Sequence, residues 1–475
     1  MNNQRQKLNK VLGRTEVFAL AFGTMVGWSW IMFATKWIDA AGVLGSIAAF
    51  TIAGTMCILV GLTYAELTSA LPLAGGELVF SYRGLGYMGA WITGWTISFA
   101  YIGVAAWEGI ALSTAFDYLH PLPKMFYLWT IAGNDVYLSW SVVGIIGAII
   151  LTALNLVGVK TAAIVQIMLV LVMLVVGIIF TLGSVAFGKT DYLMPLFTDM
   201  KGMGFVMLMA PSMFIGFDVV SKSAEEMNMP LKNIAKVLIL SIVAVMAWYI
   251  LMIWGTAMSA PPSLREQPNA TVADTATFAF QSGIFGKMII VGGICGIITS
   301  WNGFIMGASR ILFAMGRAKM LPRIFGVVNP KFQTPAASII FVGLICCISP
   351  LLGENALVWL IHVSSFATVL AYLLVSISFL SIRKKEPNLQ KKYVVKHGKA
   401  VGFGAVVSAL FFLFWYTPIS PSSLSWPYEW GLVIVWTAIG FAMVSIIKIV
   451  GFKDSISAEE REQLMFGDEY SREKI

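Results

Sequence analysis

The sequence predicts an all-α integral membrane protein of twelve transmembrane helices, two of them interrupted at mid-membrane. Three observations carry this. Of 475 residues, 58% are hydrophobic and 12% are charged, about half the charged share of a soluble domain, and the mean hydropathy is +0.82. The apolar residues fall into runs of about 20, the length that crosses a bilayer as a helix. Two of these runs, five spans apart, carry Gly, Ser, Pro and Asp where aliphatic residues are expected: Gly23-Thr24-Met25-Val26-Gly27-Trp28-Ser29-Trp30 and Ala210-Pro211-Ser212-Met213-Phe214-Ile215-Gly216-Phe217-Asp218.

In order, the spans read as 15–39, 44–71, 86–118, 138–157, 163–188, 203–222, 234–259, 279–313, 335–351, 355–382, 400–419 and 428–450. Residues 1–14 form a basic N-terminal tail and 451–475 a charged, helix-prone, solvated C-terminal tail. The loop 119–137 contains His120 and a Gly133-Asn134-Asp135 turn, and the loop 260–278 opens on Pro261-Pro262. The basic segment 383–399 is expected to lie against anionic headgroups.

The net charge of +8 points to orientation, not to a nucleic-acid partner. With the N-terminus in the cytoplasm, 26 of the 32 Lys and Arg fall on inside segments and 6 (Lys36, Lys124, Lys189, Lys201, Arg265 and Lys287) outside. That is the positive-inside bias, and it places both termini in the cytoplasm of a cell-membrane protein. The first 14 residues are followed by a span too long for a signal peptide. Cys57, Cys295, Cys346 and Cys347 lie in apolar runs without disulfide or metal spacing.

Backbone can leave the helix at membrane depth only where its freed groups meet protein, water or ligand. Alone, Gly23 and Gly27 also fit a small-residue packing face. The matching interruption at Ser212–Asp218 decides for paired broken helices around a midplane site.

Four motifs then appear in order. They are the glycine-bearing first span; Tyr64-Ala65-Glu66-Leu67 with Pro72 and Gly75-Gly76; Gly216-Phe217-Asp218 with Ala224-Glu225-Glu226 and Pro230; and Ser309-Arg310 with Arg317 and Leu321-Pro322. Together they resemble the amino acid–polyamine–organocation superfamily over roughly residues 14–450. The resemblance implies a LeuT-like 5+5 inverted repeat, with first repeat 15–188, second repeat 203–382, and two further helices at 400–450. It implies that amides at Val26, Gly27, Trp28 and Ser29 hold a substrate carboxylate, and that carbonyls near these and at Phe214, Gly216 and Asp218 hold an amine.

This sequence departs from the pattern in places. The glycine-small-glycine triplet is Gly27-Trp28-Ser29, so Trp28 and Trp30 are candidate aromatic walls for an amine. Ser212 stands where relatives carry a gating aromatic, with Phe214 and Phe217 as replacements. Met173 stands where several proton-coupled relatives carry a lysine. Thr299 and Ser300, with carbonyls at Gly23 and Val26, match the sodium site of sodium-coupled relatives; ordinary hydroxyl bonding to the preceding turn is the alternative. No other metal and no cofactor is expected.

No Lys or Arg is placed at mid-span, whereas Glu108 and Asp218 are, and a membrane carboxylate is a functional candidate by default. Tyr101 and Glu108 share one face of the third span, about 10 Å apart along the axis. Two acids without a buried base point to a cationic partner; the alternatives are that Asp218 braces the sixth helix and that Glu108 is a protonated, hydrogen-bonded core residue. Glu66 reads as structural, and His362 as a hydrogen-bonded core histidine.

The expectation is a secondary transporter importing an amino acid or related organic amine, coupled to H⁺ or Na⁺. The alternatives are a polyamine or organocation carrier, an exchanger, or a substrate sensor on the same scaffold. With no nucleophile–base pair or phosphate loop, an enzyme is not expected. Oligomeric state is open.

Overall fold

The computed structural model describes residues 8, 10–267, 269–420, 423–449 and 457–467. Arg5 and Lys7 of the N-terminal tail, and Lys453, Arg472 and Lys474 of the C-terminal tail, lie outside the described residues.

Helix α1 (Arg14–Met25) stops at Val26, and α2 (Ser29–Ala70) begins after Trp28. α2 is two helices joined at Gly42, where φ is +74°. A Cβ there would stand 2.7 Å from the backbone of Leu196 and Phe197, and the amides of Val43 and Leu44 donate to Pro195 O and Leu196 O. Only glycine meets both demands. α3 (Glu77–Leu119) bends in the same way at Gly86, φ +82°. The sequence predicts the third span from 86; the structure adds a short helix before it, over 77–85, that carries Glu77 and Arg83.

The antiparallel hairpin β1 (Tyr127–Ile131) and β2 (Asn134–Tyr137) fills the loop after α3. α4 (Leu138–Val157) and α5 (Val159–Phe187) follow. α6 (Met200–Met209) passes into a 3₁₀ turn (Ala210–Phe214), the chain leaves the helix at Ile215, and α7 (Val219–Lys222) resumes it for one turn. Next come α8 (Ile234–Ser259), the short α9 (Pro262–Arg265) and α10 (Val272–Phe280), and the long α11 (Gly283–Arg317). The chain ends with α12 (Ala336–Ile348), α13 (Ala356–Lys385), α14 (Gly398–Trp415), α15 (Tyr428–Ile449) and α16 (Ala458–Phe466).

Among the described residues, ten helices are long and apolar enough to cross a membrane. α2 alone holds the second half of the first expected span and all of the second, and α12 with its 3₁₀ extension is shorter. α3 packs along α13 and α2 along α8, with α11 against α3, α5 and α1. The outer helices expose large apolar side chains such as Ile149, Ile150, Leu182, Phe403 and Phe441. Apolar residues outside and polar residues inside are the pattern of a multi-pass membrane protein.

One end of the bundle is stitched by ion pairs, most of them made by motif residues. Arg310 Nη2 and Nε meet Glu226 at 2.9 and 3.1 Å, Arg317 meets Glu225 at 3.2 Å, and Arg83 meets Glu386 at 2.7 Å. Glu66 accepts from Arg383 Nε at 2.9 Å and lies 3.2 Å from Lys391 Nζ. Arg383 and Lys391 of the basic segment therefore turn inward, not toward headgroups. The N-terminal strap closes the same end: Val11 N and Leu12 N donate to Glu226 O, and Asn228 N donates to Leu12 O at 2.7 Å.

The C-terminal tail is not free in solvent over 458–466. Met465 and Phe466 give α16 one apolar edge, and both are buried. The Phe466 ring packs on Tyr82 and lies 5.3 Å from the Arg83 guanidinium. Arg461 donates to Ala318 O and covers the ring of Tyr87.

Candidate functional site

The two interruptions meet at the centre of the bundle. Breaking α1 at Val26 leaves the carbonyls at its end and the amides at the start of α2 without intrahelical partners. Tyr249 of α8 takes up part of that demand. Its hydroxyl donates to Met25 O at 3.1 Å and stands 2.9 Å from Ser29 Oγ, which supplies the second hydrogen. The ring is held by stacking on Phe50, centroids 4.9 Å apart. In the second interruption, Gly216 has φ +128°, and a Cβ there would meet Thr24 and the Met25 amide. Ser212 N donates to Ser365 Oγ of α13 at 3.0 Å, and Ser212 Oγ to Met209 O at 2.7 Å.

A small cavity of about 20 Å³, room for about one water molecule, lies where the breaks converge. It is lined by Thr24, Met25, Gly27 and Ser29 of the first break, Val104, Trp107 and Glu108 of α3, Ser212 and Met213 of the second break, Ser300 and Phe304 of α11, and Ile361 of α13. Of the residues singled out in the sequence, Gly27, Ser29, Glu108, Ser212 and Ser300 border this cavity.

Glu108 is fully buried, and neither carboxylate oxygen has a hydrogen-bond partner. It projects toward the first break: a Cβ on Gly27 would collide with Glu108 Oε1 and lie 3.1 Å from Ser300 Oγ. The missing side chain of Gly27 is what admits the carboxylate.

The remaining residues sit elsewhere. Trp28 packs against Gly293 of α11, and Trp30 stands edge-on to Trp248, centroids 5.4 Å apart. The expected indole walls are thus helix-packing contacts, and Trp107 is the indole at the cavity. Phe214 packs on Phe50 and Tyr249, and Phe217 on Tyr64 and Tyr372. Gly23 faces Gln166, Val170 and Thr299, while the Val26 and Gly27 carbonyls lie against Gly296. Thr299 Oγ1 donates back to Gly296 O at 3.0 Å.

Asp218 requires a correction. It is not a counter-charge without a base, because Lys222 is fully buried beside it, its Nζ 2.5 Å from Asp218 Oδ2 and 2.5 Å from Glu77 Oε1. Asp218 Oδ1 also accepts from Gly216 N at 3.0 Å and from Tyr101 Oη at 2.8 Å. Asp218 braces the second break, and Tyr101 serves that brace. The signal was present in the sequence: residues i and i+4 share a helix face, and Lys222 follows Asp218 by four.

One polar cluster goes beyond the sequence expectations, and the expected core histidine finds its partner. Asn302 Nδ2 donates to Gln166 Oε1, and Asn155 Nδ2 to Asn302 Oδ1, each at 2.9 Å. Gln166 Nε2 donates onward to Thr299 O at 3.1 Å, so this α5 amide, and not Met173, meets the seam between α1 and α11. His362 Nδ1 lies 2.6 Å from Glu429 Oε1 of α15, which gives the core histidine its partner. No cluster of three His, Cys, Asp or Glu side chains able to hold a metal occurs among the described residues.

Comparison with known proteins agrees with this architecture. A family model described as amino acid permease matches residues 12–444. The chain is 26% identical to the methylthioribose transporter of Bacillus subtilis, over 92% of this chain and 93% of that one. It is 26% identical to the branched-chain amino acid permease BcaP of the same species, over 82% and 84%. It is 28% identical to the vacuolar cationic amino acid transporter 2 of Arabidopsis thaliana, over 72% of this chain and 54% of the relative.

Proposed function

This chain belongs to the amino acid permease family, within the amino acid–polyamine–organocation superfamily, and on that premise we propose that it is a secondary transporter importing an amino acid or related organic amine. The observation that carries the reading is the unpartnered Glu108 carboxylate at the junction of the two interrupted helices. A buried carboxylate without a partner costs several kcal/mol in hydrocarbon. A substrate ammonium would offset that cost, so a positively charged nitrogen is the first feature to seek. The free amides at the start of α2 suit a carboxylate on the same substrate.

Transport proceeds by alternating access around this site, without covalent chemistry. The first and second breaks supply hinges, since non-helical backbone lets the half-helices tilt independently. The twelve-span inverted-repeat topology and a cell-membrane location with both termini in the cytoplasm belong to this reading, supported by the positive-inside bias of the sequence. Coupling is to H⁺ or Na⁺. The Val26 and Gly27 carbonyls beside Gly296, with the Thr299 and Ser300 hydroxyls, favour a hard cation; the buried acid pair described below favours a proton.

The relatives' printed substrates span methylthioribose, branched-chain amino acids and cationic amino acids, so the test begins broadly. Purified protein is screened by thermal shift against amino acids and organic amines, and hits are tested for counterflow in proteoliposomes. Counterflow of an amine-bearing hit is the expected result. Binding without counterflow would favour a sensor, and no stabilisation by any amine would overturn the reading.

A further inference from the structure

Below the central cavity, on the side of the buried ion pairs, the fold holds an uneven set of charges. Lys222 Nζ is bonded to two carboxylates, Asp218 of the second break and Glu77 of the short helix before Gly86, at 2.5 Å each. All three side chains are fully buried. Glu77 reaches this position because Gly76 has no side chain: a Cβ there would strike Ser221 of α7. One of the four carboxylate oxygens, Glu77 Oε2, has no hydrogen-bond partner.

With all three groups ionised, the cluster carries one uncompensated negative charge in the membrane interior. A lone buried charge is severely penalised, whereas a paired one is tolerated. Among the described residues, the groups facing the carboxylates offer no second cation. Tyr101 and Tyr372 hydroxyls point at Asp218 Oδ1, at 2.8 and 3.4 Å. Tyr64 packs edge-on to Tyr372, and buried Cys57 lies two turns before Tyr64 on the same helix. These are neutral phenols and a neutral thiol. One bound proton balances the set, and Glu77 Oε2 is the oxygen free to take it.

We propose that Glu77, Asp218 and Lys222 form the proton-carrying site of this transporter, one proton being shared by the two carboxylates around the lysine. This rests on the reading of the chain as an ion-coupled transporter and deepens it by naming the ion and its seat. Asp218 is part of the second break, and Glu77 belongs to the end of the bundle closed by Arg310–Glu226 and Arg317–Glu225. The cluster is therefore dry while that end is closed. When that end opens, water reaches the cluster, the unpaired charge becomes tolerable, and the proton leaves. By linkage, the proton favours the closed form as much as closure favours the proton.

The first test needs no substrate. A folded chain that keeps a carboxyl proton which the unfolded chain has lost becomes less stable as pH rises, tenfold in the folding equilibrium per pH unit per proton. Melting temperature is measured between about pH 6 and pH 9. Wild type should lose stability across this range, Cys57→Ala should do the same, and Glu77→Gln, neutral without a proton, should lose the slope. An identical slope in Glu77→Gln, or a flat wild type, overturns the proposal. If Glu77→Gln does not fold, Asp218→Asn leaves the Lys222–Glu77 pair and decides by the same criterion. In proteoliposomes, Glu77→Gln should also lose proton-driven accumulation of a screened substrate, and retained accumulation overturns the assignment. A chain that moves no screened compound refutes the transport reading, while the melting titration still decides on the proton.

Discussion

Gly216 and Thr24 touch across the two interrupted helices. A Cβ at Gly216 would stand 2.8 Å from Thr24 Cγ2 and 3.0 Å from the Met25 amide. The half-helices therefore meet with no room for a methyl group, at a backbone angle that favours glycine. Gly216→Ala should cost about 1–3 kcal/mol from backbone strain and force the breaks apart. A lower melting temperature with loss of counterflow is expected; an unchanged melting temperature would show that the contact yields.

Glu108→Gln removes the charge and keeps the shape. If Glu108 is a substrate counter-ion, binding of a cationic amine should fall by tenfold or more, on the order of 1.5–3 kcal/mol, with a much smaller change for a neutral amino acid. Isothermal titration with one compound of each kind checks this. Equal losses for both would sink the counter-ion role.

Tyr249→Phe keeps the stacking on Phe50 but deletes the hydroxyl that serves both Met25 O and Ser29. The expected cost is about 1–3 kcal/mol, because a buried carbonyl loses its donor. Thermal melts should show this in the absence of substrate. A stability equal to wild type would mean that water replaces the hydroxyl.

Arg310→Leu leaves Glu226 charged and buried without its fork of donors. Loss of one member of a buried pair costs about 3–5 kcal/mol, whereas replacing both is far better tolerated. The double variant Arg310→Leu/Glu226→Leu should therefore melt above the single one. The reverse order would show that Glu226 finds another partner.

Phe466→Ala should release α16 from Tyr82 and Arg83. Limited trypsin digestion then cuts after Arg461 faster than in wild type, with the rest of the chain still resistant. Unchanged cleavage would mean that the contacts of Arg461 alone hold the helix.

Much of this was legible in the sequence, for physical reasons. Span limits follow from apolar length, and the two breaks from Gly, Ser and Pro where backbone must leave the helix: Val26–Trp28 and Ile215–Asp218 lie inside the stretches singled out. Side-chain direction was harder to read. Trp28 and Trp30 flank the first break in sequence, yet helix geometry turns one to Gly293 and the other to Trp248. Lys222 counts among the inside charges because it closes the span read as 203–222; α7 ends at that residue, yet the lysine is buried between Asp218 and Glu77. Glu77 was hidden for a related reason. It sits in the short helical stretch before the bend at Gly86, which carries no span-length apolar run to announce it.

The N-terminal strap gives Glu226 two jobs at once. Its carbonyl oxygen accepts the amides of Val11 and Leu12, and its carboxylate grips Arg310 of α11. It works as a keystone: one residue joins the strap to α11 through its main chain and its side chain. Asn228 backs the strap and Glu225 backs α11, so each side of the keystone has a second hold one or two residues away in the chain.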